Sequence, residues 1–174
     1  FIKNIDNVIQ NNLEKISLYK RGLAGILLEI QQQVFSYLNA LDAASIEPEL
    51  MDEIILFLKD KLNITMNDGF HSENLESKVT EVKAILNRPI RVCGMVKNEG
   101  EPGGGPFWVR NDQGAVSLQI VDSSQVDLNN DNQKIILNAA THFNPVDLVC
   151  GIKNYKKQKF DLTQFVDYNS GFIV

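Results

Sequence analysis

Histidine and cysteine are scarce here, with two of each in the whole chain. Cys93 and Cys150 lie in separate apolar, strand-like runs, without the paired spacing or histidine neighbours of a zinc site. They read as buried free thiols, the expectation for a protein of the reducing cytoplasm. Dense runs of Lys and Arg are missing too, and the net charge is −5. A phosphate backbone repels such a surface, which argues against bulk nucleic-acid binding. No apolar stretch is long enough to span a bilayer, and no signal peptide is visible. Neither phosphate-binding fingerprint occurs: there is no G-x-x-x-x-G-K-[ST], and no G-x-G-x-x-G opens a helix. An initiator Met is also missing. The opening "FIKNIDNV" reads as the end of a strand and "GFIV" stops as abruptly, so the expectation is a piece of a longer protein.

What is present is a composition 44% hydrophobic over 174 residues, enough for one globular domain or part of one. The pattern changes character near Arg88. Before it, Leu13, Ile16, Tyr19 or Lys20, Leu23, Leu27, Ile30, Val34, Leu38 and Leu41 recur at steps of three and four residues, which predicts one long amphipathic helix bent near Gly22 or Gly25. "SIEPELMDEIILFLKDKL" predicts a second helix with Pro48 in its first turn. "NITMNDGFH" reads as a loop. "SENLESKVTEVKAILN" reads as a third helix, with Ser72 as its N-cap and Pro89 beyond its end.

After Pro89 the periodicity is that of strands. "IRVCGMV" is one compact run. "PFWVRNDQGAVSLQIVD" predicts a hairpin about Asn111–Gly114. "NNDNQKIILNAA" predicts a short helix and "NPVDLVCGIKNY" a further strand. The tail carries Asn169-Ser170-Gly171 as a turn.

The stretch richest in chemical meaning is "GMVKNEGEPGGGPFWV". Gly103, Gly104 and Gly105 leave room for a ligand to touch the main chain, and their N–H groups can form an anion-binding concavity. Lys97 ends the preceding strand, where an ammonium can meet a phosphate. A flexible hairpin connection is the plain alternative. In "THFNPVDLV", His142 reads first as a packed or hydrogen-bonded residue, with a general base or ligand as the other reading. Asn144 reads as a turn residue whose amide can also bind a sugar hydroxyl. "SSQVD" places hydrogen-bonding side chains at a strand end, where α/β ligand sites collect.

In this order the pieces resemble the second half of a UDP-sugar pyrophosphorylase, a nucleotidyltransferase of the GT-A type. "FIKNIDNV" is similar to that family's Asn-x-Asp-Asn strand end through Asn4, Asp6 and Asn7. "KNEGEPGGGPFWV" is similar to its Lys followed by a Gly-Gly pair, matched by Lys97, Gly104 and Gly105. "HFNPVDLV" is similar to its Phe-Asn segment, matched by Phe143 and Asn144. Over the whole chain the closer resemblance is to a bacterial domain-of-unknown-function family, DUF4301.

The resemblance implies an α/β fold, the C-terminal part of a GT-A mixed sheet. Residues 1–8 would end a core strand, 9–88 would form an inserted three-helix block foreign to the pyrophosphorylase pattern, and 89–174 would complete the core. It implies a sugar phosphate or nucleotide sugar as ligand, with the nucleotide-binding loop on a missing N-terminal half. Asp6 would hold Mg²⁺ and Lys97 would neutralise phosphate. Asn4, Asn7, Gly103, Gly104, Gly105, His142 and Asn144 would bind substrate. Two other readings stay open: a catalytically inactive binding module of the same fold, and a helical interaction module built on the long amphipathic helix.

Overall fold

The computed structural model describes residues 2–3, 13–43, 46–100 and 103–168. The long periodic segment folds as α1 (Leu13–Leu41), which runs unbroken through Gly22 and Gly25, the positions where the sequence suggests a bend. Glycine weakens a helix interior by about 1 kcal/mol relative to Ala, and packing on the opposite face outweighs that. The inward stripe follows the expected residues from Ile16 onward. Of the two alternatives at its second position, Lys20 turns inward, its Nζ 3.7 Å from Oδ1 of the buried Asp147, and Tyr19 is 71% exposed.

The helix α2 (Pro48–Leu62) starts with Pro48 in its first turn and ends on Asn63 in the left-handed region, whose N–H donates to the Leu58 carbonyl. Its cap leads into a short strand, β2 (Ile64–Thr65), where the sequence reads as loop. α3 (Leu75–Leu86) is capped by Asn74, whose side chain accepts from the Ser77 N–H at 2.9 Å. Ser72 is therefore not the N-cap. It closes a 3-10 turn over Phe70–Ser72, where its hydroxyl donates to the Gly69 carbonyl. Asn74 wins because it stands three residues before an unpaired helical N–H.

Helical spacing gathers Val34, Leu38 and Leu41 of α1, Met51, Ile54 and Leu58 of α2, and Val82 and Leu86 of α3 into one core, with Phe70 fully buried among them. Each such side chain contributes about 1.5–3 kcal/mol through removal from water.

The remaining strands are β3 (Ile90–Lys97), β4 (Gly105–Arg110), β5 (Val116–Val121) and β6 (His142–Gly151), with α4 (Asp131–Asn138) between the last two. The N-terminal residues form β1 (Ile2–Lys3). Among the described residues the architecture is mixed α/β, with four α-helices and two three-stranded sheets ordered β1-β6-β3 and β2-β5-β4. Every pairing among them is antiparallel. The hairpin about Asn111–Gly114 forms as expected, with Asn111 Oδ1 accepting from the N–H groups of Gln113 and Ala115.

The central strand β6 contains Pro145, which a ladder tolerates only at an irregularity. That irregularity is present: the β3–β6 register slips on both sides of Met95, so that Val146 and Asn144 have no partner in the ladder.

Two glycines let α1 lie against this sheet. A Cβ on Gly94 would stand 3.1 Å from Leu23 Cδ1, and one on Gly151 would stand 2.7 Å from Gln31 Nε2. Opposite Gly94 in the ladder sits Asp147, 7% exposed, whose Oδ1 has no hydrogen-bond partner among the described residues.

The segment after β6 is tied back to the helices by Asp42. Its carboxylate accepts the Tyr155 hydroxyl at 2.7 Å and pairs with Lys83 Nζ at 2.7 Å. The hydrogen bond from Lys83, then that from Tyr155, holds the Asp42 carboxyl below the usual carboxylate range. A depressed folded-state value adds stability above the unfolded value of about 3.9, and that stability is lost as pH falls through the folded value. Asp42→Asn is therefore expected to lower the melting temperature at neutral pH, with the gap to the parent closing below about pH 4. A calorimetric pH series reads this. A gap of constant size across the series would show that Asp42 does not act through its charge.

Candidate functional site

The loop after β3 is shaped by main-chain bonds and by glycine. The Asn98 N–H donates to the Thr141 carbonyl and so extends the β3–β6 ladder by one residue. The Asn98 side-chain oxygen then accepts from the Gly100 N–H at 2.9 Å and turns the chain. Gly100 and Gly103 have φ of 112° and 147°, a region that residues with a Cβ avoid. Gly105 has a different reason. A Cβ there would lie 2.7 Å from the His142 carbonyl oxygen, so its bare backbone is what lets β4 approach β6.

This approach frames a cleft of about 300 Å³. One wall is the loop, with Asn98, Gly100, Gly103 and Gly104. Phe107 of β4 adds an aromatic surface, and Ser123 comes from the 3-10 turn after β5. The far wall is the end of α4, with Leu137, Asn138 and Ala140, followed by His142 at the start of β6.

Each wall is fixed locally. Asp122 caps the Ser123–Gln125 turn, its carboxylate accepting from the Ser124 N–H at 2.9 Å and the Ser124 hydroxyl at 2.7 Å. The Ser124 hydroxyl, then its N–H, holds the Asp122 carboxyl below its ordinary range. In return, Gln125 accepts from the Asp122 N–H, which completes a capping box. Asn130 caps α4 through the N–H groups of Asn132 and Gln133, and Gln133 accepts from the Asp127 N–H. The far wall is thus the carboxyl end of a capped helix, where carbonyl oxygens carry partial negative charge. His142 Nδ1 lies 2.9 Å from Thr141 Oγ1, which steadies the ring.

The described lining offers two amides, a hydroxyl, an imidazole, an aromatic face and glycine main chain. All are suited to a ligand rich in hydroxyls. Among the described residues no group of three His, Cys, Asp or Glu side chains gathers as a metal centre would require.

Of the residues singled out from sequence, Gly103, Gly104 and His142 line the cleft together. Lys97 does not line it. It precedes Asn98 and stands opposite His142 in the β3–β6 ladder, exposed. Gly105 is buried in the strand contact. The backbone of Asn144 lies in β6, and its side chain is outside what is described. Asn4, Asp6 and Asn7 lie outside the described residues. Asn98, Phe107 and Asn138 were not visible as site residues. Asn98 is overshadowed by the glycines beside it, and Asn138 reads as a helix end. Only the return of α4 to the loop brings the two together.

The family model for "Domain of unknown function (DUF4301)" matches residues 1–174, so the chain belongs to that family. No curated protein and no solved structure matches it.

Because the atom opposing Gly105 is a backbone carbonyl, no rotamer change relieves a larger side chain there. Gly105→Ala is expected to destabilise the protein by about 1–3 kcal/mol, the usual cost of overpacking. The reference is Gly100→Ala, whose Cβ would meet nothing within 4 Å and whose cost arises from φ alone. Urea denaturation compares the two. A Gly105→Ala protein as stable as the parent would show that β4 and β6 are free to part.

Proposed function

We propose that this chain binds a sugar phosphate or nucleotide sugar in the cleft beneath the glycine loop, as the C-terminal part of a nucleotidyltransferase-like domain of the GT-A type. The observation that supports this is the chemistry of the lining. Neutral donors and acceptors surround an aromatic face, and Lys97 stands beside His142 in the ladder. The volume of about 300 Å³ suits a single sugar with its phosphate.

Polarity sets the orientation. The carbonyl end of α4 favours hydroxyl donors and disfavours an anion. The sugar hydroxyls therefore face Asn138 and His142, and the phosphate is turned toward the loop and Lys97. Main-chain groups of Gly103 and Gly104 contact the ligand where no side chain intervenes. Asn7 and Asn144 are the further candidates for sugar hydroxyls, and Asn4 is a further candidate for a substrate contact.

In the full protein the reaction would be attack of a sugar-phosphate oxygen on the α-phosphorus of a nucleoside triphosphate. The new P–O bond forms as the bond to pyrophosphate breaks. Such transfer depends on positioning and charge neutralisation. Mg²⁺, a hard cation that takes oxygen ligands, would supply charge neutralisation through Asp6. The described lining itself holds no carboxylate. The same neutral lining favours a second reading, a module of this fold that binds the sugar without turning it over.

Calorimetric titration with a hexose 1-phosphate tests the site. Asn138→Ala is expected to weaken binding about tenfold, the loss of one or two hydrogen bonds. Lys97→Met should weaken the phosphorylated sugar and leave the free hexose unaffected, with little change in melting temperature, since surface charges contribute little to stability. Equal affinity of both variants and the parent would overturn the assignment.

A further inference from the structure

The cleft leaves the outward face of α1 unused. Leu18, Tyr19 and Ile26 stand on that face, between 48% and 71% exposed. A Cβ added at Gly22 or Gly25 would meet nothing within 4 Å, so no contact among the described residues explains either glycine. Lys15, Leu18, Gly22, Gly25 and Glu29 follow one another at steps of three and four residues. This is the spacing of a helix-pairing seam, with Tyr19 and Ile26 beside it. The two charged residues of the seam, Lys15 and Glu29, lie at its ends and are exposed, and neither makes an ion pair among the described residues.

We propose that a second copy of this chain occupies this face, the two α1 helices crossing antiparallel about a two-fold axis at Gly22. The seam is complementary to itself in that register. Lys15 of each helix meets Glu29 of the other at both ends. Leu18 packs on Ile26, and Tyr19 covers the bare backbone of Gly25. Gly22 meets Gly22 at the crossing, where the missing side chains let the helices approach. Such self-complementarity is what a two-fold interface requires. The opposite face of α1 is already spent on the sheet and on the helical core, so pairing leaves the fold unchanged.

Sedimentation equilibrium of the purified 174-residue chain over a dilution series is the test. A reversible dimer is expected. Lys15→Glu should raise its dissociation constant about tenfold or more, because like charges then face each other at both ends. Adding Glu29→Lys to that variant should restore the parent value. Ile26→Asp should give a monomer with an unchanged melting temperature. A monomer at every concentration overturns the proposal. So does a dimer indifferent to Lys15→Glu and Ile26→Asp, or a Lys15→Glu defect that Glu29→Lys fails to repair.

Discussion

Everything described here hangs on the contact of α1 with the β1-β6-β3 sheet. One helix serves two cores. Its stretch from Leu23 to Gln31 rests on the sheet at Gly94 and Gly151. Its second half supplies Val34, Leu38 and Leu41 to the core shared with α2 and α3. Side chains of α1 fill the space that these glycines leave, so the strand layer and the helical layer are joined through a single helix. The buried Asp147 belongs to the same contact. Lys20 leans toward it from α1, at a distance that gives attraction without a hydrogen bond. A buried carboxylate oxygen that accepts no hydrogen bond among the described residues is costly, and the Lys20 charge offsets part of that cost.

The cleft depends on that placement at one remove. Held by α1, β6 presents His142 and the carbonyl that Gly105 must approach. β4 follows β6, and the glycine loop spans the gap between β3 and β4. The loop wall of the site is then backbone geometry, while its polarity is set by two amides, one hydroxyl and an imidazole. This division explains why the loop is rich in glycine at two kinds of position. Gly100 and Gly103 answer a dihedral demand, and Gly105 answers a steric one.

How much of this was legible in the sequence follows from the range of each interaction. Helices α1 to α4 and the hairpin β4–β5 were readable because their periodicity and turn chemistry are local. Asn74 displaced Ser72 as a cap within two residues, an error of boundary. Strand β2 was missed because Ile64 and Thr65 become a strand only by pairing with β5, far along the chain. The inward turn of Lys20 in place of Tyr19 was left open by periodicity, since both fit the stripe. The partner that decides it, Asp147, lies on β6. The site divides in the same way. Gly103, Gly104 and His142 stood out by residue type, whereas Asn98, Phe107 and Asn138 became neighbours only through the packing of α4 against the loop.

The central claim is that the cleft between the glycine loop and the end of α4 is where a phosphorylated sugar binds. Amide NMR spectra of the isotope-labelled chain, recorded during titration with a hexose 1-phosphate, test it most directly. Saturable shifts are expected at Asn98, Gly100, Gly103, Gly104, Ser123, Asn138 and His142, with the amides of α2 and α3 unmoved. Shifts absent throughout, or gathered on the helical core instead, would contradict it.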